Sequence, residues 1–547
     1  MSESVASTVT TGDDTPAKSG WSRRIGRPGL RLRWACVLLL VAVGLFVLYL
    51  FQSGAGPFNS DGASMILQAQ AMLHGNPLLK GWRVADVSFY TTELPEYVIV
   101  VALRGLRPDV VHICGALSYT LTVLLAAFLA RGRATGRAGV VRALVGGAIM
   151  LAPGITGGTE VFLENPDHAG TAVPILLLLL LLDRAPERWY VPAAVCLLLA
   201  WVQVADQLTL IAATAPVAAV AGVRLLVLAV RRRPRREFRY DALLLAAAVV
   251  SVALASAAER AIRHLGGFRQ SPLVYGLLAP VSQIPANLRM MGRTLLLLFG
   301  ANNPNQGHGA AHQALEISAH LHLIGLALAA AGFAVAVVLF FTARMDRVTQ
   351  IVATAAAATL AAGIFGTVLP DLAHAHEVAI LLPLGAVLAG RMLPPLASAR
   401  WLHGRAAAVA LGAWLAVGLA ALCFAASRPP APPTNQQLAN WLVAHHYTNG
   451  LAGYWQSNST TVASGGKVQV TPITYAATGK WEWESSDDWY QVSKQRPDFV
   501  VAVADPTATG YVTTAAARRS FGAPVRQYQV GQYVVMVYDY NLLTRLG

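Results

Sequence analysis

Long apolar runs separated by short basic loops dominate the chain. The first covers residues 34–51, and others follow near 109–130, 139–158, 169–183, 189–230, 240–258, 321–342, 348–369, 377–393 and 405–426. About 20 apolar residues span a bilayer as a helix. Because the run 189–230 has the length of two helices meeting at VADQ, around Asp206, the pattern predicts an all-α polytopic membrane bundle of about eleven transmembrane helices. A single helix there is the alternative, and it would reverse the predicted membrane orientation of every later helix.

Arginines beside the apolar runs set the predicted orientation. Arg23, Arg24, Arg27, Arg31 and Arg33 precede the first run, so the positive-inside rule places the N-terminus in the cytoplasm. Residues 1–33 are predicted to form a disordered cytoplasmic tail. Residues 34–426 form the membrane domain, with long outer segments at 52–108 and 259–320, and eleven spans leave the C-terminus outside.

A proline-rich linker, residues 427–437, marks a domain boundary after the last apolar run. The segment 438–547 reads as a small extracytoplasmic α/β domain. QQLANWLVAHHY has helical spacing, VQVTPI and DFVVAVAD read as strands, and VRQYQ with YVVMVYDY reads as a hairpin.

Composition agrees with a multi-pass protein of the plasma membrane. Of 547 residues, 55% are hydrophobic and 13% are charged, too few charges for the surface of a soluble chain of this length. The formal net charge is +14, but the arginines flank apolar runs and act as topology signals, so nucleic acid is not expected as a partner. All four cysteines fall inside apolar runs, which argues against disulfides and cysteine metal sites.

The first outer segment is too long for a plain connector. SDGASMILQAQAMLHG has apolar residues at helical spacing, with Ser60 as the expected N-cap and Asp61 next to it. FYTTELPEY, which contains Glu93, suggests a second helix along the membrane surface. An acidic residue just outside the first span, followed by such helices, resembles the GT-C superfamily of membrane glycosyltransferases. The HGNPLL-GW and FYTTELPEY pieces resemble uncharacterised actinobacterial members of this group.

The resemblance implies a glycosyltransferase. It would move a sugar from a polyprenyl-phosphate donor to an envelope glycan, lipid or protein acceptor on the outer face, with inversion at the anomeric carbon. The acceptor hydroxyl then needs a carboxylate base at the interface, a role that suits Asp61, with Glu93 as a second catalytic candidate. The alternative for Asp61 is a plain helix N-cap, and the two roles can coexist.

A second polar cluster, TEVFLENPDH, joins two apolar runs on the outside. Glu164, Asp167 and His168 are candidates to bind the acceptor or a divalent cation through oxygen ligands, so a metal cofactor stays open. As Asn-Pro-Asp is also an ordinary turn sequence, a purely structural role is the equal alternative.

The leaving lipid phosphate needs positive charge. Arg289 and Arg293, one helical turn apart and directly before LLLLF, are the expected contacts, and lipid headgroups are the alternative ligands. His376 lies where superfamily members often place a phosphate-binding arginine. Two other functions compete with the transferase: a transporter or flippase for lipid-linked glycans, and a non-catalytic envelope scaffold. The transporter fits less well, because the polar residues gather at the outer ends of the spans. The scaffold would make the outer-loop carboxylates dispensable.

Overall fold

The computed structural model describes residues 28–155, 157–164, 168–232, 234–272, 278–302, 310–342, 345–396 and 405–547. The predicted tail therefore lies outside the described residues up to residue 27. The chain divides into two compact units, Met1–Gly44 and Leu45–Gly547. The first is described only as the N-terminal part of a helix, and the second carries every feature discussed below.

Helices make up most of the described chain. In chain order the helices before the proline-rich segment are α1 (Pro28–Gly54), α2 (Ser60–Leu73), α3 (Glu93–Arg104), α4 (Asp109–Arg131), α5 (Gly136–Met150), α6 (Ala172–Arg184), α7 (Tyr190–Ala205), α8 (Ala215–Val230), α9 (Arg235–His264), α10 (Ile284–Leu298), α11 (Ala310–Leu339), α12 (Arg347–Phe365), α13 (Leu381–Leu396) and α14 (Arg405–Ala426). Those after it are α15 (Gln436–Ala444), α16 (Tyr454–Ala463) and α17 (Thr514–Phe521).

Each predicted span coincides with an apolar helix, although the helices differ in length. Seven helices of the described residues are long and apolar enough to cross a membrane, and the pair Leu372–Val378 and Leu381–Pro394, bent by 53°, makes an eighth if it is one span. The other three, α5, α6 and α7, have 15, 13 and 16 residues. At 1.5 Å per residue they are shorter than the bilayer core of about 30 Å.

The region 189–230 contains two helices, as predicted: α7 ends at Ala205, directly before Asp206, and a π-helical turn, Leu210–Thr214, leads into α8. The helices on either side of the segment 259–320 extend into it, because α9 continues to His264 and α11 begins at Ala310. The amphipathic helix α10 lies between them.

One apolar core joins the helices of the bundle. Helix α13 packs against α4, α5, α11 and α12, and its Leu384, Val387 and Leu388 are fully buried. Small residues allow these close crossings: a side chain at Gly332 of α11 would collide with the backbone of Ala389. Burial of aliphatic side chains and close packing of small ones hold the bundle together.

The described strands are β1 (Trp82–Val84), β2 (Arg269–Gln270), β3 (Asn449–Ala452), β4 (Gln469–Pro472), β5 (Ser485–Ser486), β6 (Phe499–Val503), β7 (Arg526–Val530) and β8 (Tyr533–Val537). Five of them form the sheet β4-β3-β6-β8-β7, in which β3 is parallel to β4 and β6, and β7 and β8 form the expected hairpin. The fold class is thus confirmed: a helical membrane bundle with a small C-terminal α/β part.

The C-terminal part is joined to the predicted outer segments. A second sheet has the order β2-β1-β5, so it combines one strand from each outer segment with one from the C-terminal part. Helix α16 packs on α2, where the Ser60 hydroxyl donates to the carbonyl of Tyr454 at 2.8 Å. The proline-rich segment is also anchored, since the Ala431 amide donates to the Gly54 carbonyl at 2.9 Å.

Candidate active site

Two turns and a helix break bring a group of histidines and carboxylates together. His168 follows the π-helical turn Glu160–Glu164, has a left-handed backbone (φ 59°) and is buried. Its Nδ1 lies 2.9 Å from Oδ2 of Asp206, the residue at which α7 ends. The other oxygen of Asp206 accepts the Leu208 amide at 2.8 Å. Asp206 therefore both terminates α7 and fixes the His168 ring.

The segment Leu372–Val378 supplies the remaining members of the group. Asp371 caps it by accepting the amides of Ala373 and His374, which directs the following residues toward His168. The Glu377 carboxylate lies 3.4 Å from Nε2 of His168 and 3.8 Å from Nε2 of His376. The two imidazole rings stack with centroids 5.5 Å apart and planes 5° from parallel.

His168, His376 and Glu377 have a donor set that fits a metal ion. One ligand atom from each lies within 4.8 Å of the others, and two histidines with a glutamate are a zinc-binding set that leaves a coordination position open. Asp206 on the far nitrogen of His168 is the carboxylate that typically orients a metal-bound histidine. The adjoining cavity of about 30 Å³ has room for a water or an ion.

Two hydroxyl groups support a polar occupant in this cavity. Thr209 and Thr359 line it, and the buried oxygen of each has no hydrogen-bond partner among the described residues. Buried hydroxyls are normally satisfied, so an unmatched pair facing one cavity indicates that water or ligand oxygens complete them.

Glu93 lies beside this group. It begins α3, is 3% exposed, and accepts from the hydroxyl of Thr171 at 3.0 Å and from that of Thr92. Gly170 permits the approach, since a Cβ there would lie 2.5 Å from Cγ of Glu93. Burial raises the pKa of Glu93 to about 7, against the hydrogen bonds from the two threonines. A carboxyl with such a pKa can exchange a proton near neutral pH.

Asp61 lies at a different place, between α2 and the C-terminal part. The N-cap of α2 is Asn59, whose side chain accepts the Gly62 amide at 3.0 Å, and not Ser60, because the Ser60 hydroxyl is bonded to the Tyr454 carbonyl. The half-buried Asp61 side chain is thus not the cap. Its carboxylate accepts from the side-chain NH₂ of Asn59 at 2.9 Å and from the Tyr454 hydroxyl at 2.5 Å.

Tyr454 connects Asp61 to a second acid, Glu484, which is 4% exposed and contacts the same hydroxyl. Burial, and then the two carboxyls, raise the pKa of Tyr454 well above its usual value, so the phenol keeps its proton. A phenol has one hydrogen to donate. The Tyr454 hydroxyl can therefore donate to only one of the two carboxyls at a time.

The remaining predicted residues lie around these two centres. The Glu164 carboxylate lies against Gly56. Its burial, and to a smaller extent the negative charge of the neighbouring Glu160, raise the pKa of Glu164 to about 7. Asp167 is outside the described residues. Arg289 and Arg293 are exposed on α10, which packs against the segment Leu372–Val378, and Arg289 Nε donates to the Pro285 carbonyl at 3.2 Å.

An apolar groove of about 580 Å³ lies on the other side of the turn Leu210–Thr214. Alanines and valines of α8 and α9 line it, and Ser256 and Arg260 close one end. The turn contributes Leu210 and Thr214 to the groove, and Ile211 and Ala212 to the histidine cavity. The two features therefore share one wall.

No protein-family model matches the sequence, and no curated protein is significantly similar to it. Among solved structures, the chain is similar to ArnT from Cupriavidus metallidurans bound to undecaprenyl phosphate, with a TM-score of 0.53 and 15% identity over 94% of this chain and 99% of that one. It is also similar to the apo oligosaccharyltransferase of Archaeoglobus fulgidus, with a TM-score of 0.47 and 13% identity over 88% of this chain and 70% of that one.

At these identities the likeness is one of fold. ArnT is a GT-C superfamily membrane glycosyltransferase, so the chain has the GT-C fold, and the resemblance drawn from its sequence is confirmed at that level. The chain is accordingly a multi-pass membrane protein.

Proposed function

We propose that this GT-C-fold chain transfers a sugar from a polyprenyl-phosphate donor to a cell-envelope acceptor, with inversion at the anomeric carbon. The observation that carries the proposal is the buried group of two histidines and several carboxylates beside an apolar groove, at the end of the bundle on which the C-terminal part sits. The similar structure ArnT was solved with undecaprenyl phosphate, a ligand of the donor's chemical class.

The groove between α8 and α9 suits the donor's polyprenyl chain. Its lining is almost entirely aliphatic, and Arg260 at one end supplies a positive charge that could bind a lipid phosphate. Arg289 and Arg293 on the neighbouring α10 stay proposed phosphate contacts, and His376 lies in the adjoining cavity. Positive charge here would stabilise the phosphate as it leaves the sugar.

His168, His376 and Glu377 would hold a divalent metal if the reaction uses one, and Asp206 would keep the His168 ring in place. When bound, such an ion neutralises charge on the donor phosphate. Glu93 would then lie beside it with a carboxyl that titrates near neutral pH.

Asp61 is the proposed base. It takes the proton of the acceptor hydroxyl, the acceptor oxygen forms a bond to the anomeric carbon, and the bond from that carbon to the phosphate oxygen breaks on the opposite face. The bonding electrons leave with the phosphate, so the products are the glycosylated acceptor and polyprenyl phosphate. Asn59 and Tyr454 fix the Asp61 carboxylate from two sides, and Glu484 can exchange a proton through the tyrosine hydroxyl.

The donor half of the proposal is tested by supplying purified full-length protein with polyprenyl-phosphate-linked pentoses and hexoses and an envelope lipid extract as acceptor. We expect release of polyprenyl phosphate with at least one donor, and loss of release in Glu377→Gln. Transbilayer movement of intact donor in proteoliposomes, without release, would contradict the proposal and favour a flippase.

The proposal also requires the site and the C-terminal part to face outward. We expect reporter fusions to place the N-terminus in the cytoplasm and Gly547 outside. A cytoplasmic Gly547 would contradict the outer-face reaction.

A further inference from the structure

A large basic cavity lies at the opposite end of the bundle. Helix α4 has 23 residues, so its two ends, Asp109 and Arg131, are about 33 Å apart. Asp109 is near the outer segments, because Leu106 lies close to Gly466 of the C-terminal part. The cavity starts beyond Arg131, at Gly132, and has a volume of about 960 Å³, within the usual range of ligand pockets.

Arginines outnumber carboxylates in its lining. Six arginines and three carboxylates line the cavity: Arg133, Arg142, Arg224, Arg231, Arg347 and Arg391, with Asp183, Glu187 and Asp346. Three of the arginines are already paired. Arg391 is held by Asp183 at 2.7 Å and Asp346 at 3.1 Å, and Asp241 holds both Arg347 and Arg224, at 2.9 and 3.4 Å.

The other three arginines supply unneutralised charge. Arg133 donates from Nε to the Asp183 backbone carbonyl at 2.7 Å, which leaves its two terminal nitrogens to bind elsewhere. In the described part of the chain, Arg133, Arg142 and Arg231 have no carboxylate partner within ion-pair distance. Arg142 is half-buried, and several guanidinium groups around one space favour a ligand with phosphate oxygens.

Part of the remaining wall is apolar. Helix α8 contributes Val223, Val227 and Leu228, and the end of α11 with the residues after it contributes Leu339 and Phe341. A soluble anion would gain nothing from this wall, whereas a lipid could place its chain there and its phosphate on the arginines.

We propose that this cavity binds the phosphate headgroup of an anionic membrane lipid, with Arg133, Arg142 and Arg231 as its main contacts. This proposal does not depend on the reaction at the other end. Phosphatidylglycerol and free polyprenyl phosphate share the required chemistry, and the experiment separates them.

The test is equilibrium lipid binding to full-length protein in neutral detergent, measured by native mass spectrometry with phosphatidylglycerol, polyprenyl phosphate and phosphatidylcholine. We expect both phosphate lipids to bind more tightly than phosphatidylcholine, and the tighter of the two identifies the source. Each arginine near a lipid phosphate contributes roughly fivefold, so the triple variant Arg133→Gln, Arg142→Gln, Arg231→Gln should bind roughly a hundredfold more weakly.

A matched control is Arg137→Gln with Arg188→Gln, two exposed arginines that do not line the cavity. This variant should bind like the parent protein, and the triple lysine variant should recover most of the affinity because it keeps the charge. Equal binding by the triple glutamine and control variants would overturn the proposal. So would displacement of the lipid by inorganic phosphate at equal concentration, since the site would then be one for soluble anions.

Discussion

Asp61→Asn separates a catalytic from a structural role for this residue. In the parent protein one carboxylate oxygen accepts from Asn59 and the other from Tyr454. An asparagine can turn its oxygen toward Asn59 and its NH₂ toward the tyrosine oxygen, and Tyr454 then donates to Glu484. Both hydrogen bonds therefore survive, and only their charge-assisted part is lost.

The two effects have different expected sizes. Exchanging the two charged hydrogen bonds for neutral ones costs about 2 kcal/mol of folding free energy, because net values are about 1 kcal/mol for a neutral bond and about 2 for a charged one. A few degrees of melting temperature at most should be lost. Removing the base should slow transfer by about 10² to 10⁴. This corresponds to about 3 to 5 kcal/mol in the activation barrier.

The assay measures polyprenyl phosphate released per enzyme, together with the melting temperature of the same preparation. Asp109→Asn is the matched control, since this half-buried carboxylate at the start of α4 pairs with Arg104 and Arg107. It should keep full activity and stability. Normal release by a well-folded Asp61→Asn protein would refute Asp61 as the base and leave Glu93 as the candidate.

Three further predictions concern other contacts. Asp206→Asn should weaken binding of zinc or manganese by about 10- to 100-fold, measured as metal content after dialysis, because His168 loses its orienting carboxylate; unchanged metal content would contradict the metal site. Because its pKa is raised, Glu93 stays protonated up to a higher pH in the folded protein than in the unfolded chain. Its contribution to stability is therefore complete below about pH 4.5 and lost as the pH rises through about 7. The melting temperature of Glu93→Gln should fall less between pH 5 and 8 than that of the parent, and an identical fall would exclude this titration. Arg391→Met should destabilise by about 3 kcal/mol in urea unfolding, because the buried Asp183 loses its 2.7 Å partner and keeps the longer 3.3 Å ion pair with Arg184; the exposed Arg137→Met should not.

The sequence predicted the bundle because each apolar run is bounded by arginines or prolines, and this signal is local. It also pointed to the break at Asp206, since a lone acid inside an apolar run interrupts the pattern. The pairing of Asp206 with His168 could not be predicted, because 38 residues and two helices, α6 and α7, separate them. Glu377, directly after His376, carries no sequence signal of its own, since its position in the site follows from the turn that Asp371 caps.

The contacts of Asp61 could not be predicted from the sequence either. The sequence shows its position after the first span, whereas Tyr454 lies 393 residues later and no local pattern joins the two residues. Ser60 has the residue type of an N-cap, but the tertiary contact with Tyr454 takes its hydroxyl and leaves capping to Asn59. A tertiary contact, which only the folded chain provides, here overrides the local preference of Ser60 for the N-cap position.

The small sheet β2-β1-β5 cannot be completed until the C-terminal part of the chain has been synthesised. Arg83 of β1 and Asp487, next to β5, are 404 residues apart, and every apolar helix after α1 is made between them. At a synthesis rate of about 5 to 20 residues per second, roughly 20 to 80 s pass between the synthesis of β1 and the synthesis of β5. During that interval one edge of β1 is open to proteases and chaperones. Nascent chains stalled before residue 485 should therefore be cleaved near Trp82 by an added protease, and chains stalled well after residue 547, on a C-terminal extension, should be protected there.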